Sequence, residues 1–200
     1  MQPSEFNQLF DSVVSDYHKS DDINAPCPNP FPSGSLEFLL YKKCWIDTVQ
    51  WHLEDIIRDP DIQPAEALAI KRRIDKSNQD RTDMVEYIDS YYLSLFQNVV
   101  PAEGARINTE TPAWAIDRLS ILALKIYHMR AEATREDASP AHRQKCADKL
   151  QVLLTQRQDL TQAICELLED LSAGAKIMKV YKQMKMYNDA DTNPVLYSRK

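Results

Sequence analysis

Glycine is scarce in this chain of 200 residues, which has only Gly34, Gly104 and Gly174. GxGxxG and Walker A loops need clustered glycines to bring backbone close to phosphate, so both kinds of nucleotide-binding fold are excluded and no cofactor is expected. Cysteine is sparse as well: Cys27, Cys44, Cys146 and Cys165 show no CxxC spacing. The last three fall within helical patterns, where a buried free thiol is the ordinary reading. No apolar run reaches the roughly 20 residues of a membrane span. The opening "MQPSEFNQLFDSVVSD" lacks the basic-then-apolar layout of a signal peptide, so a cytoplasmic location is expected. An excess of cations is missing too, since the formal net charge is −6, which argues against a nucleic-acid partner.

What the chain does have is apolar residues at helical spacing and prolines between them. A hydrophobic content of 44% can bury one substantial core, so residues 1–200 are expected to form one domain. No segment alternates convincingly as strand, and the expected fold is an all-α bundle of five to six helices, two of them long. The first helix is placed over Glu5 to His18 with Ser4 as N-cap. A proline-rich loop over 19–35 ends it. The second helix covers Leu36 to Arg58 and stops at "DPDIQP"; the third runs from Pro64 to Val99. Thr111-Pro112 and Ser139-Pro140 are cap-plus-proline starts for the fourth and fifth. The fifth runs to Gly174, which can end or bend it. Residues 175–187 are expected to be helical again, and 188–200 to be an irregular tail.

Several polar residues sit where apolar ones should be when each helix is projected at about 100° per residue. On the second helix, Trp45, Val49, Leu53 and Ile56 form the inner face, with His52 at its edge and Asp55 nearly one turn on. A boundary histidine held by a carboxylate accounts for that spacing. An acid/base or metal site would use the same two groups. On the third helix Arg81 interrupts a stripe of Ile74, Met84, Val85 and Ile88, with Asn78 at the margin. A buried guanidinium needs either a protein carboxylate or an anionic ligand.

The fourth helix is apolar over most of its circumference, with a narrow polar strip of Asp117, Lys125, His128 and Glu132 and Arg118 at the border. Asp117 is the first choice as protein partner for Arg81. On the fifth helix Arg157 stands between Leu153 and Leu160. It either sets register, snorkels, or converges with Arg81 and Lys125 on a multiply charged ligand. The lysines 176, 179, 182 and 185 give the last stretch a basic amphipathic pattern, which suits packing on its own bundle with the lysines outward, an anionic membrane surface or a partner.

Four blocks, "LYKKCWIDTVQWHLEDIIRDPDI", "IDKSNQDRTDMVEYID", "INTETPAWAIDRLSILALKIYHM" and "KQMKMYNDADTNPVLY", resemble the bacterial family labelled domain of unknown function forty-two fifty-four. The resemblance covers nearly the whole chain and implies a single helical domain, with no established activity. It marks Trp51, His52, Glu54, Asp55, Asn78, Arg81, Glu86, Asn108, Thr109, Glu110, Asp117, Arg118, Lys125 and His128. It also implies a setting in cell-surface polysaccharide synthesis.

The first functional expectation is binding of, or action on, an anionic small molecule such as a sugar phosphate or nucleotide sugar. Asn78, Arg81, Arg118, Lys125 and Arg157 would bind it, and His52, His128 and Asp117 would carry the chemistry. An accessory protein for an envelope-synthesis enzyme is the alternative, as is a metal site using His52, Asp55, His128 and Glu132. Paired or HExxH metal motifs are absent, so no metal ligand is assigned. Whether a homo-oligomer forms is left open by the sequence.

Overall fold

The computed structural model describes residues 1–182 and residue 191. Five helices carry the fold: α1 (Pro3–Tyr17), α2 (Leu36–Ile57), α3 (Pro64–Leu95), α4 (Pro112–Thr134) and α5 (Pro140–Ser172). Two short strands, β1 (Arg106–Asn108) and β2 (Lys176–Met178), pair in parallel. The all-α, single-domain reading holds, with α3 and α5, of 32 and 33 residues, as the long pair.

Capping chemistry explains most of the helix starts. Ser35, Thr111 and Ser139 each accept a hydrogen bond from the backbone N–H three residues on. Pro112 and Pro140 then occupy first-turn positions where no donor is lost. At the first helix the proline wins over the serine: Pro3 is the first helical residue and Gln2 the cap, so Ser4 is already inside. The third helix stops at Leu95 rather than Val99, and Val99 N–H turns back to the Phe96 carbonyl.

The expected helix after Gly174 is corrected where it can be seen. Gly174 has φ +72°, a left-handed backbone that ends α5, and Lys176 to Met178 then pair with Arg106 to Asn108. Local periodicity lost here to a strand partner some 70 residues away, a pairing that no window of the sequence shows. Residues 183–187 of that expected helix and the tail over 188–200 fall outside the described residues, apart from Asp191.

All five helices meet in one core. Phe10 of α1, Leu40 of α2, Ile88 of α3, Ile116 and Leu119 of α4 and Ile164 of α5 are completely buried. Each contributes roughly 1.5–3 kcal/mol of apolar burial. Helix α4, buried on most sides, is the central element that the sequence projection anticipates. A smaller apolar cluster of Leu53, Ile70 and Ile74 closes the far end of the α2–α3 pair.

Candidate functional site

Two polar assemblies interrupt this core, both hung on α2 and α4. The first is ionic. Arg81 of α3 grips Asp117 of α4 through both ends of the carboxylate, Nε to Oδ1 at 2.9 Å and Nη2 to Oδ2 at 2.6 Å. Lys43 of α2, fully buried, reaches Asp117 Oδ1 at 2.8 Å and the Asp117 carbonyl at 3.1 Å, and also pairs with Asp47 one turn along. Ser120 donates to Asp47 Oδ2 at 2.6 Å, and Arg81 Nε lies 3.5 Å from Asp47 Oδ1. Two cations and two carboxylates therefore balance inside the protein, as buried charge requires.

Burial opposes ionisation of Asp117, yet Lys43 and Arg81 hold its carboxyl below the ordinary aspartate value. Burial raises the Asp47 carboxyl, with Lys43 and Ser120 working against that. Lys43 was legible in principle, since Leu36, Leu40, Lys43 and Asp47 follow one another at helical spacing on a buried stripe.

The second assembly is made of imidazoles. His18, at the C-terminal end of α1, His52 of α2 and His128 of α4 each turn one ring nitrogen into a common space, all three lying within 4.8 Å of one another. The closest pair is His18 Nε2 and His52 Nε2 at 3.3 Å. His18 Nδ1 is 2.7 Å from the Val14 carbonyl, which can only accept, so Nδ1 carries the proton and Nε2 the lone pair.

Every ring is clamped by an aromatic neighbour: Tyr127 stacks on His18, Tyr17 on His52 and Trp51 on His128, with centroids 4.1, 4.9 and 4.8 Å apart. His128 Nε2 is buried and has no hydrogen-bond partner. Burial and the neighbouring imidazoles lower the pKa values of His52 and His128, that of His128 to about 4, so these two rings are neutral at pH 7. Asp21 stands at the rim, its Oδ1 3.9 Å from His52 Nε2, with φ of 50°.

The sequence-derived candidates thus divide. Arg81 and Asp117 are joined as expected, and His52 and His128 come together, but in a different place. Asn78 accepts from Gln50 Nε2 at 2.9 Å beside the ionic network. The predicted convergence of cations does not occur: Arg157 binds Asp11 at 2.9 Å across the α1–α5 contact, because α5 presents that face to α1 rather than to α3. Arg118 and Lys125 are exposed and border a separate groove with Gln156 and Asp159 of α5. Of the earlier metal quartet, Asp55 points outward to Arg58 at 3.2 Å, and Glu132 binds His142 at 2.9 Å. His18 takes their place. It lies four residues beyond Val14 and eight beyond Phe10, on the line of α1's buried stripe, and that continuation was the available signal.

An all-α bundle with a charge-balanced ionic network in its core and a half-buried three-histidine cluster defines the class of protein. The chain belongs to the family described as Protein of unknown function (DUF4254), whose model matches residues 37–180. His52 and His128 lie inside that span and His18 precedes it. No curated protein and no solved structure is significantly similar to the chain. Among the described residues no helix is long and apolar enough to cross a membrane.

Proposed function

We propose that the protein binds one divalent transition-metal ion through His18, His52 and His128. The observation that carries this reading is the convergence of one nitrogen from each ring within 4.8 Å. Two nitrogens bound at ~2.0–2.1 Å to a tetrahedral ion lie ~3.4 Å apart. The His18–His52 pair already stands at 3.3 Å. Imidazole nitrogens suit zinc, cobalt, nickel or copper rather than magnesium or calcium. The Val14 carbonyl on His18 supplies the outer-shell hydrogen bond that commonly fixes a ligating ring.

Three protein ligands leave a position for water or substrate, the arrangement of a catalytic ion. Such an ion lowers the pKa of its water to about 7 and polarises a bound carbonyl or phosphoryl oxygen. Asp21, whose Oδ1 lies 3.9 Å from His52 Nε2 at the rim, would be the carboxylate to take a proton from such a water. The reading is therefore metal-assisted hydrolysis or a related Lewis-acid reaction.

An anionic sugar phosphate or nucleotide sugar held by Arg81 draws less support, because Asp117 and Asp47 already neutralise that charge. An accessory role resting on a basic C-terminal helix draws less too, since Lys176 to Met178 are strand.

The test is metal analysis of untagged protein purified without chelators, followed by titration of stripped protein with cobalt(II). About one equivalent bound, with the visible bands of a tetrahedral cobalt site, supports the reading. Absence of binding, or binding retained by a His18→Ala, His52→Ala, His128→Ala triple variant, defeats it.

A further inference from the structure

Helix α5 is long for the little that covers it: of its 33 residues only Cys146, Ile164 and Leu171 are buried. It packs on α4 and, through Thr161 and Arg157, on α1. Between them α4 and α5 form an open groove floored by Ile121, Leu122 and Leu160. Val152, 57% exposed, continues the line of α5 that carries Gln156, Asp159 and Ala163. Apolar side chains recurring on the outer side of a helix pair suit packing against further helices.

The charged groups of the groove divide by helix. Arg118 and Lys125 stand two turns apart on α4, and Asp159 lines the groove from α5. All three are exposed, and none has a side-chain partner among the described residues. Two cations and a carboxylate on one rim do not suit a small anion, which Asp159 would repel, nor a small cation. They suit a surface that carries the same charges in the opposite order, and a second copy of this chain is such a surface.

Two-fold symmetry then decides the arrangement. Turning the second copy about an axis across the helices sets α4 on α4, with cations against cations. Turning it about an axis along the helices sets α4 on the partner's α5, and the cations of each copy meet the opposite charge. The size also fits. Helix α4, with 23 residues, is about 35 Å long, and two neighbouring helices present a face about 20 Å wide, or about 700 Å² per copy. Specific interfaces bury roughly 600–1,000 Å² per partner.

We propose that the chain forms a two-fold dimer through the α4–α5 groove, with Arg118 and Lys125 of each copy facing the partner's Asp159 across the floor of Ile121, Leu122 and Leu160. The inference is independent of the metal, since none of the three histidines lines this groove.

Sedimentation velocity of the whole 200-residue chain across the micromolar range, with and without EDTA, tests it. The wild-type chain should show a reversible monomer–dimer equilibrium that EDTA does not change. Reversing one side with Arg118→Glu and Lys125→Glu together, or the other with Asp159→Lys, sets like charges against each other in both halves of the contact. Each reversal should raise the dimer Kd at least about tenfold. Mixed in equal amounts, the two reversed chains should associate with each other, because every changed side then meets its opposite. All three positions are exposed, so both variants keep the fold.

A wild-type chain that stays monomeric throughout, as it would if the groove took another protein or a small molecule, overturns the inference without any variant. A dimer that EDTA dissolves, a dimer that either reversal leaves unweakened, or a mixture that fails to associate overturns it too.

Discussion

His18 and His52 present the same ring nitrogen to each other, Nε2 to Nε2 at 3.3 Å, although one closes α1 and the other lies in the second half of α2. With Val14 holding the proton of His18 on Nδ1, only His52 can place a hydrogen between the two nitrogens. An ion would instead receive a lone pair from each. Single His18→Ala, His52→Ala and His128→Ala variants should each lower zinc affinity at least about a hundredfold, as expected when a ligand is removed outright. Competition against a chromophoric chelator measures this. Unchanged affinity in any one variant would remove that residue from the set.

The same rings make the stripped protein sensitive to acid. His128 titrates near pH 4 in the fold, against about 6.5 when unfolded, and His52 is shifted in the same direction. The unfolded chain therefore takes up these protons first as pH falls. Their contribution to stability is complete above pH 6.5 and is lost progressively towards pH 4. The Tm of metal-free protein should fall over that range, and more gently in His128→Phe. Parallel Tm curves for the two proteins would refute the assignment.

Arg81→Met should cost about 3 kcal/mol or more, because it removes a two-point partner from Asp117 and leaves the carboxylate only Lys43. Urea unfolding measures the loss. An unchanged or raised midpoint would mean that the charge is carried for a ligand rather than for the fold.

Lys43→Met should be at least as damaging, since it strands Asp47 and Asp117 together with Arg81 as their one remaining cation in this network. Adding Asp47→Leu should recover part of the loss, because the pair removed together no longer leaves an uncompensated buried charge. Additive losses in the double variant would show that the two residues are not coupled.

Gly174→Ala tests the junction after α5. An added Cβ would meet the Val100 carbonyl oxygen at 2.5 Å, on a backbone of φ +72°. Roughly 2 kcal/mol of destabilisation is expected, with a matching drop in Tm. A neutral result would mean that the loop around Val100 yields freely.

Legibility in the sequence followed the range of each interaction. Helix starts at Ser35, Thr111 and Ser139 are set by residues within one turn, and these could be read directly. Arg81 with Asp117 was also legible, because a cation on one apolar stripe calls for a carboxylate on another. Arg157 fits the same projection, but projection gives a face and not the neighbour that face meets; its partner proved to be Asp11. His18 was hidden by its place at the C-cap of α1, one residue past the last helical position, where periodicity runs out although the stripe continues. The β1–β2 pairing depends on two segments far apart in the chain and on the turn at Gly174, so helical spacing in Lys176 to Lys182 misled.

The aromatic clamps on the three imidazoles bear on the timing of metal capture. Tyr17, Trp51 and Tyr127 hold the rings in place by stacking within the protein, so the loss of rotamer freedom would be met during folding and not when an ion arrives. A site prepared in this way would not depend on metal for its shape, unlike small domains that fold around zinc. The bundle should keep its helices when stripped, and ions should enter and leave a standing structure. Occupancy would then follow the free metal around the protein, which makes the site a reporter of supply as much as a fixed fitting.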